Sequence, residues 1–582
     1  MESFTPDTAR EPSVAEDPAL GLDRRTKFQI LGAVLLGLFL ATLDQTVVGT
    51  PLPRIVTALN GNELYTWVVT IYLLTSTITV PFYGKLSDLY GRKPLLMFGI
   101  SLFLIGSALS GLSQEMWQLV LFRGIQGLGA GSLFPIALAV IGDLFTPAER
   151  GKYQGLFGAV FGVSFLLGPW LGGFLTDNLS WHWVFYVNLP IGLVSLYLIW
   201  RLMPNIRHPE VSRSLDYAGA AVFAVAMGLI LVGLTNKQTN DWLHPSVAGL
   251  IGGGLVLSVL FIAIEARARE PIVPLDLWRN RTYVSSILAT FFVSFAFFGA
   301  IIFMPRWFQA VRSETATMSG YLLFPLLFGL IGSSIVSGQI ISRTGRYRTL
   351  ILAAIGLIAA GLVLMTQLRA DTDYLPLFGW LFVAGVGIGP TLSGFTIVVQ
   401  NAVPFSKLGV ATSNLTFFRQ IGGTVGLAIA GSVFGSSLTE RLPAQAGPVF
   451  GQIIAGLPAD LQEPARQALQ SGAGQRLDPN ALTGVGQSFG EAVIGQVPAQ
   501  FQSFVEPFRA ALDAAFGQAM TLAIADTFVV GIGAILLAFA VGLGMRELPL
   551  RTTRGAPVAA ATGSERPAEP ETRPLRQAPA AD

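Results

Sequence analysis

The sequence predicts an all-α polytopic membrane protein, with 14 transmembrane helices built as two six-helix pseudo-symmetric bundles plus two extra linker helices. Composition is the first reason. Only 12% of residues are charged while 52% are hydrophobic, and the mean hydropathy is +0.59; an ordinary soluble domain carries roughly 25% charged residues. Spacing is the second. The charges stand in clumps between apolar runs of about 18–25 residues, the length a helix needs to cross ~30 Å of hydrocarbon. A closed β-barrel also satisfies every backbone group in lipid, but it needs short alternating segments, and these runs are continuous. The third reason is the distribution of Lys and Arg, which alternates from loop to loop.

Taken in order, the spans are 28–50, 64–83, 94–112, 117–141, 151–175, 182–203, 215–235, 246–266, 282–308, 318–341, 349–368, 374–400, 409–438 and 521–545. Alternate connections carry Arg24, Arg25 and Lys27; Lys85, Arg92 and Lys93; Arg150 and Lys152; Arg201, Arg207 and Arg213; Arg267, Arg269, Arg279 and Arg281; Arg343, Arg346 and Arg348; Lys407; and Arg546, Arg551 and Arg554. The opposite short loops hold little beyond Arg54, Lys237, Arg312 and Arg369. Basic residues stay inside, so both termini are expected in the cytoplasm. Residues 1–27 are polar and precede a full-length apolar run, which predicts a disordered N-terminus without a cleaved signal. Residues 555–582, rich in Ala, Pro and charge, predict a disordered cytoplasmic tail. There is no cysteine, and His182, His208 and His244 lie near span ends rather than in a cluster; neither a thiolate nucleophile nor a histidine metal site is supported. No metal or cofactor is expected.

An internal repeat sets the domain plan. Gly84–Lys93 (GKLSDLYGRK) follows the second span, and Gly338–Tyr347 (GQIISRTGRY) follows the tenth. If 28–203 and 282–438 plus 521–545 are the two six-helix bundles, each copy falls between the second and third helix of its half. The pair at 215–266 is then an insertion between halves. Paired halves around a midplane site are a common transporter plan.

Four segments resemble signatures of the major facilitator superfamily, specifically its fourteen-span drug:proton antiporters (the EmrB/QacA-like subfamily). They are the loop Gly84–Lys93; Arg123 to Gly131, containing Gln126, in the fourth span; Gly155 through Gly168, Pro169, Trp170, Gly172 and Gly173 in the fifth; and Leu43-Asp44-Gln-Thr-Val-Val in the first. The resemblance runs from about residue 28 to 440 and resumes near 520. Gly49, Ser164 and Ser342 depart from the pattern. What the resemblance implies is a proton antiporter of a bacterial inner (cytoplasmic) membrane. It would export lipophilic drugs or amphiphilic compounds by alternating access, with Gly155, Gly168, Pro169, Gly172 and Gly173 as its fifth-span antiporter signature and no enzymatic activity.

Ionisable residues deep in a span are costly and mark function. Asp44 lies roughly 24 Å from the inner end of the first helix, and Arg123 roughly 9 Å from the outer end of the fourth, depths that nearly coincide. Asp44 is the candidate proton carrier and Arg123 its coupling partner. The alternative is a helix–helix hydrogen bond without titration. Asp526 is the second candidate acid. Arg419, near the middle of the thirteenth span, is open to three readings: binding an anionic substrate group, pairing with a carboxylate such as Glu149, or holding backbone carbonyls. Gln126, Trp170, Phe417 and Arg419 are expected to line a substrate cavity. Asp88, Gly91, Arg92, Glu149 and Arg346 are expected at a cytoplasmic gate, though Lys85, Arg92 and Lys93 also suffice to hold a loop inside. Small residues in the fourth and fifth spans permit close helix approach, and Pro169 can bend its helix; ordinary membrane packing uses the same residues.

Residues 440–520 form an outside insertion. Phe489, Val493, Val497, Phe501, Phe504, Phe508, Leu512 and Phe516 recur at three- or four-residue spacing, an amphipathic helical stripe. Spans thirteen and fourteen are expected to project beyond the membrane with one or two short helices packed on them. That element would serve either an external lipid-carrier partner or the membrane surface. Protons, the bilayer and lipophilic small molecules or lipids are the partners expected; nucleic acid is not. The competing functions are export of drugs, export of one specific lipid or lipophilic metabolite, and a non-transporting sensor or enzyme. No Gly-x-x-x-x-Gly-Lys-Ser/Thr loop is present to use ATP.

Overall fold

A computed structural model describes residues 22–49, 51–59, 64–205, 216–237, 240–268, 271–457, 462–463, 489–496, 502 and 504–549. Of the termini expected to be disordered, residues 1–21 and 555–582 lie outside the described residues, as do Val497 and Phe501 of the stripe, whereas residues 24–27 form the first turn of α1 behind the Asp23 cap. The helices in chain order are α1 (Arg24–Val47), α2 (Leu52–Ala58), α3 (Tyr65–Tyr90), α4 (Arg92–Gly111), α5 (Met116–Leu144), α6 (Pro147–Asn178), α7 (Trp183–Tyr186), α8 (Asn188–Leu202) and α9 (Tyr217–Asn236). They continue with α10 (Leu250–Glu265), α11 (Arg281–Ala310), α12 (Ala316–Tyr321), α13 (Phe324–Thr344), α14 (Arg348–Met365), α15 (Tyr374–Ala402), α16 (Leu408–Ala455), α17 (Phe489–Gln496) and α18 (Arg509–Gly542). Among the described residues, 14 helical segments are long and apolar enough to cross a membrane.

Local chemistry fixes the helix ends. Asp23 caps α1 through Thr26 N at 3.4 Å, and Asn280 caps α11 through Thr282 N at 3.0 Å and Tyr283 N at 3.2 Å. Each supplies an acceptor to amides that the helix leaves unpaired. Gly91 separates α3 from α4 with φ 96°, where a side chain would be strained. Two spans read as continuous are broken. α7 stops at Tyr186, four residues before Pro190, and α12 stops at Tyr321, four residues before Pro325. In both cases the proline has no N–H to return to that carbonyl.

The apolar cores follow the two halves. One set of buried side chains runs from Ile30 to Met203, the other from Leu277 to Met545. A small cluster of Val80, Phe223, Phe261 and Phe417 seats the linker pair α9–α10 against α3 and α16. At the far end α16 continues for 48 residues, past Pro443 and Pro448. Ile453 at its tip joins Val493 and Ile494 of α17 and Leu512 and Phe516 of α18 in the larger core. Gly490 N donates to Asp513 at 2.7 Å, and Arg509 pairs with Glu491 at 3.1 Å. Of the aromatic stripe, Leu512 and Phe516 are buried while Phe504 is exposed.

Candidate functional site

Three helices of the first half converge on Asp44. α1 carries the acid, α5 brings Arg123 and Gln126 on one face at i,i+3 spacing, and α8 brings Asn188. Arg123 Nη1 lies 2.5 Å from Asp44 Oδ2; Gln126 Nε2 and Asn188 Nδ2 donate to Oδ1 at 2.8 and 2.9 Å. Arg123 also donates to Gln126 Oε1 at 2.8 Å and sits 4.2 Å above the Tyr72 ring. Asp44 is 0% and Arg123 1% exposed. This is a sealed charge pair whose carboxylate accepts three hydrogen bonds, the kind of support that makes a buried ion pair tolerable. Gln45, the next residue, is exposed. Ser164, the departure in the fifth-span signature, ties α6 to this region: its hydroxyl lies 2.6 Å from that of Thr42, and its carbonyl accepts from Thr46 at 3.0 Å.

A second network lies at the end of the molecule that holds the repeated loops. Arg92 is buried between Asp88 at 2.5 Å and Asp143 at 2.8 Å, and donates to Ser87 at 2.6 Å. Asp88 reaches into the other half, where its Oδ2 accepts from Val410 N at 3.0 Å in the first turn of α16. There it meets free amides and the positive end of the helix dipole. Gln154 of α6 donates to Gln400 of α15 at 2.8 Å, and Gln400 donates back to Leu138 O at 3.1 Å. Gly151 and Gly338 bring α6 and α13 into backbone contact, with no room for a Cβ on either. Around these crossings the central helices are sealed. Leu408–Phe417 of α16 are buried throughout, and Gly129–Leu144 of α5 and Thr391–Ala402 of α15 are buried save Phe134 and Leu392. Beyond this plug exposure returns, at Leu128 on α5 and at Phe418, Arg419 and Gln420 on α16.

The fifth-span glycines, on α6, serve two partners. Gly155 lies against the Ser334 carbonyl of α13 across the half boundary, whereas Gly168 and Gly172 lie against Thr46 and Val47 of α1 in the same half. Pro169, next to Gly168, faces Gly320 of α12; Gly173 is half-buried.

Several expectations are corrected. Gln126 lines no cavity; both its polar atoms are committed to the Asp44 cage. Phe417 is core, its ring 5.2 Å from Phe223 of the linker pair. Trp170 is 44% exposed and stacks on Phe174, in a surface stripe with Val163 and Leu167 at helical spacing. Glu149 does not meet Arg419. Its carboxylate closes a capping box on its own helix, accepting from Thr146 N at 3.2 Å and Oγ1 at 3.0 Å. Arg346 is exposed, because Ser342 stands where the first copy of the loop has Asp88 and offers no carboxylate. Asp526 forms a half-exposed pair with Arg441 at 2.8 Å in an outer cleft of about 400 Å³. Asn188, Asp143, Gln154 and Gln400 were not singled out from the sequence.

Residues 34–427 match the Major Facilitator Superfamily model. Among curated proteins, the chain is 35% identical over 483 residues to the multidrug transporter protein MdtP of Bacillus subtilis, covering 82% of this chain and 86% of that one. It is 35% identical over 459 residues to multidrug resistance protein 3 of the same organism, covering 78% and 88%. It is also 32% identical over 436 residues to the efflux pump dotC of Dothistroma septosporum, covering 73% and 75%. In fold it resembles a bacterial homologue of the human lysosomal transporter Spinster, with TM-score 0.51 at 16% identity over 90% of this chain and 98% of that one. The chain is therefore a membrane transporter, not an enzyme, and it belongs to the Major Facilitator Superfamily, among its multidrug-type members.

Proposed function

We propose that the protein exports lipophilic drugs or amphiphilic compounds from the cytoplasm of a bacterial cell in exchange for protons, by alternating access. The observation that carries this reading is the sealed cage of Asp44, Arg123, Gln126 and Asn188. Protonating the acid removes the counter-charge of Arg123 in a low-dielectric interior, which changes the relative cost of two conformations. With the basic loops in the cytoplasm, the plug closes the inner side, and a substrate route opens outward beyond Leu128 and Arg419. Asp88, Arg92, Gln154 and Gln400 then act as inner-gate contacts between the bundles, and the Gly151–Gly338 approach is where the bundles meet and part.

Asp44→Asn tests it. The amide keeps the shape of the acid and loses its charge. In energised inverted vesicles the variant is expected to lose export driven by a pH gradient while still exchanging substrate downhill. Full gradient-driven export by Asp44→Asn would remove the acid from the mechanism.

A second reading is export of one lipid or lipophilic metabolite. It is favoured by the length of α16 and the packing of α17 on α18, an elaboration that proton coupling does not require.

A further inference from the structure

Arg419 lies about 17 Å from the start of α16 at 1.5 Å per residue, mid-depth in a ~30 Å hydrocarbon core. It is partly exposed at the point where the plug ends. Its guanidinium makes one long hydrogen bond, Nη2 to Leu392 O at 3.4 Å, and among the described residues no carboxylate pairs with it. An arginine at that depth is tolerated where it faces water or a ligand, not lipid. The charge of Asp44 does not reach it, being matched by Arg123 inside the first half. The accessible charge of the central region is therefore positive. Apolar groups flank it. Leu392 of α15 is partly exposed, and the partly exposed ring of Phe298 packs over Gly423, one turn along the same face of α16. A cation with spare donors beside an apolar wall is complementary to an anion carrying a hydrocarbon part.

Resting on the transport reading above, we propose that Arg419 anchors the head group of the exported compound and that the substrates are amphiphilic anions. The guanidinium supplies charge-assisted hydrogen bonds to a carboxylate, sulfate or phosphate, while Phe298 and Leu392 meet the hydrocarbon part.

The test is binding, with no proton gradient, to purified protein in phosphatidylcholine nanodiscs. Dodecyl sulfate and dodecyltrimethylammonium share a tail and differ in the sign of the head. Wild type is expected to prefer the sulfate. Arg419→Gln is expected to weaken dodecyl sulfate about tenfold or more and leave the cation unchanged, with Arg419→Lys in between. A wild type that prefers the cation, or an unchanged sulfate affinity in Arg419→Gln, overturns the proposal. If Arg419→Gln loses both probes, Arg419→Lys decides: retained anion preference supports the anchor, and lost preference overturns it. Adding phosphatidylglycerol to the discs separates two sources of the same chemistry. Displacement of dodecyl sulfate assigns a two-chain lipid, and its absence a single-chain compound. Because no gradient enters, anion preference can hold while Asp44→Asn export disproves proton coupling, and the reverse.

Discussion

Arg92 sits fully buried with carboxylates on two sides, Asp88 from the last turn of α3 and Asp143 from α5. Removing it strands two acids away from water, and breaking a buried pair this way costs about 3–5 kcal/mol. Arg92→Ala is therefore expected to lower the thermal unfolding midpoint of the purified protein sharply. Arg92→Lys should rescue little, since an ammonium cannot reproduce a planar fork aimed at two acceptors. A midpoint within a degree of wild type in Arg92→Ala would show that the network carries no stability. Asp44 and Arg123 were legible in the sequence because charge in an apolar run is rare, and Arg92 because it stands in the loop that both halves repeat. Asp143 and Asn188 were not. Asp143 meets Arg92 across 51 positions of chain and Asn188 meets Asp44 across 144, so only helix packing reveals either pairing.

At the scale of elements, α6 and α13 touch through backbone at Gly151 and Gly338. A side chain there forces the helices apart by the width of a methyl group or more, and it does so at the plugged end. Gly338→Val is expected to reach the membrane in normal amount and to lose most of its export activity, because the closed state no longer forms. Equal export rates in vesicles matched for protein would refute it. Hydrophobic run length located the membrane-crossing segments well. The breaks after Tyr186 and Tyr321 were legible in principle, each four residues ahead of a proline, but a long apolar run masks an interruption of one or two residues. Facing was harder. Trp170 and Phe417 share the chemistry of a cavity lining, yet one lies on the surface and the other in the joint with the linker pair, and no local pattern separates those fates.

For the whole molecule, the division of labour between the membrane-crossing helices and the elaboration at the tips of α16 and α18 is open to direct measurement. Replacing residues 445–515 by a short Gly/Ser connector leaves α16 and α18 long enough to cross the bilayer. Dye efflux is expected to survive this change if the chain is a general exporter; loss of lipid export with dye efflux intact would instead favour the lipid-specific reading.

α16 joins these scales. Its first turn receives Asp88 from the opposite half, its middle carries Arg419, and its tip packs with α17 and α18. An uninterrupted rod of 48 residues is ~72 Å long. A tilt of about 10° around its centre sweeps either tip through roughly 6 Å. Were Asp88 to release the first turn of α16, a tilt of that size would be carried along the helix to the tip where α17 and α18 pack.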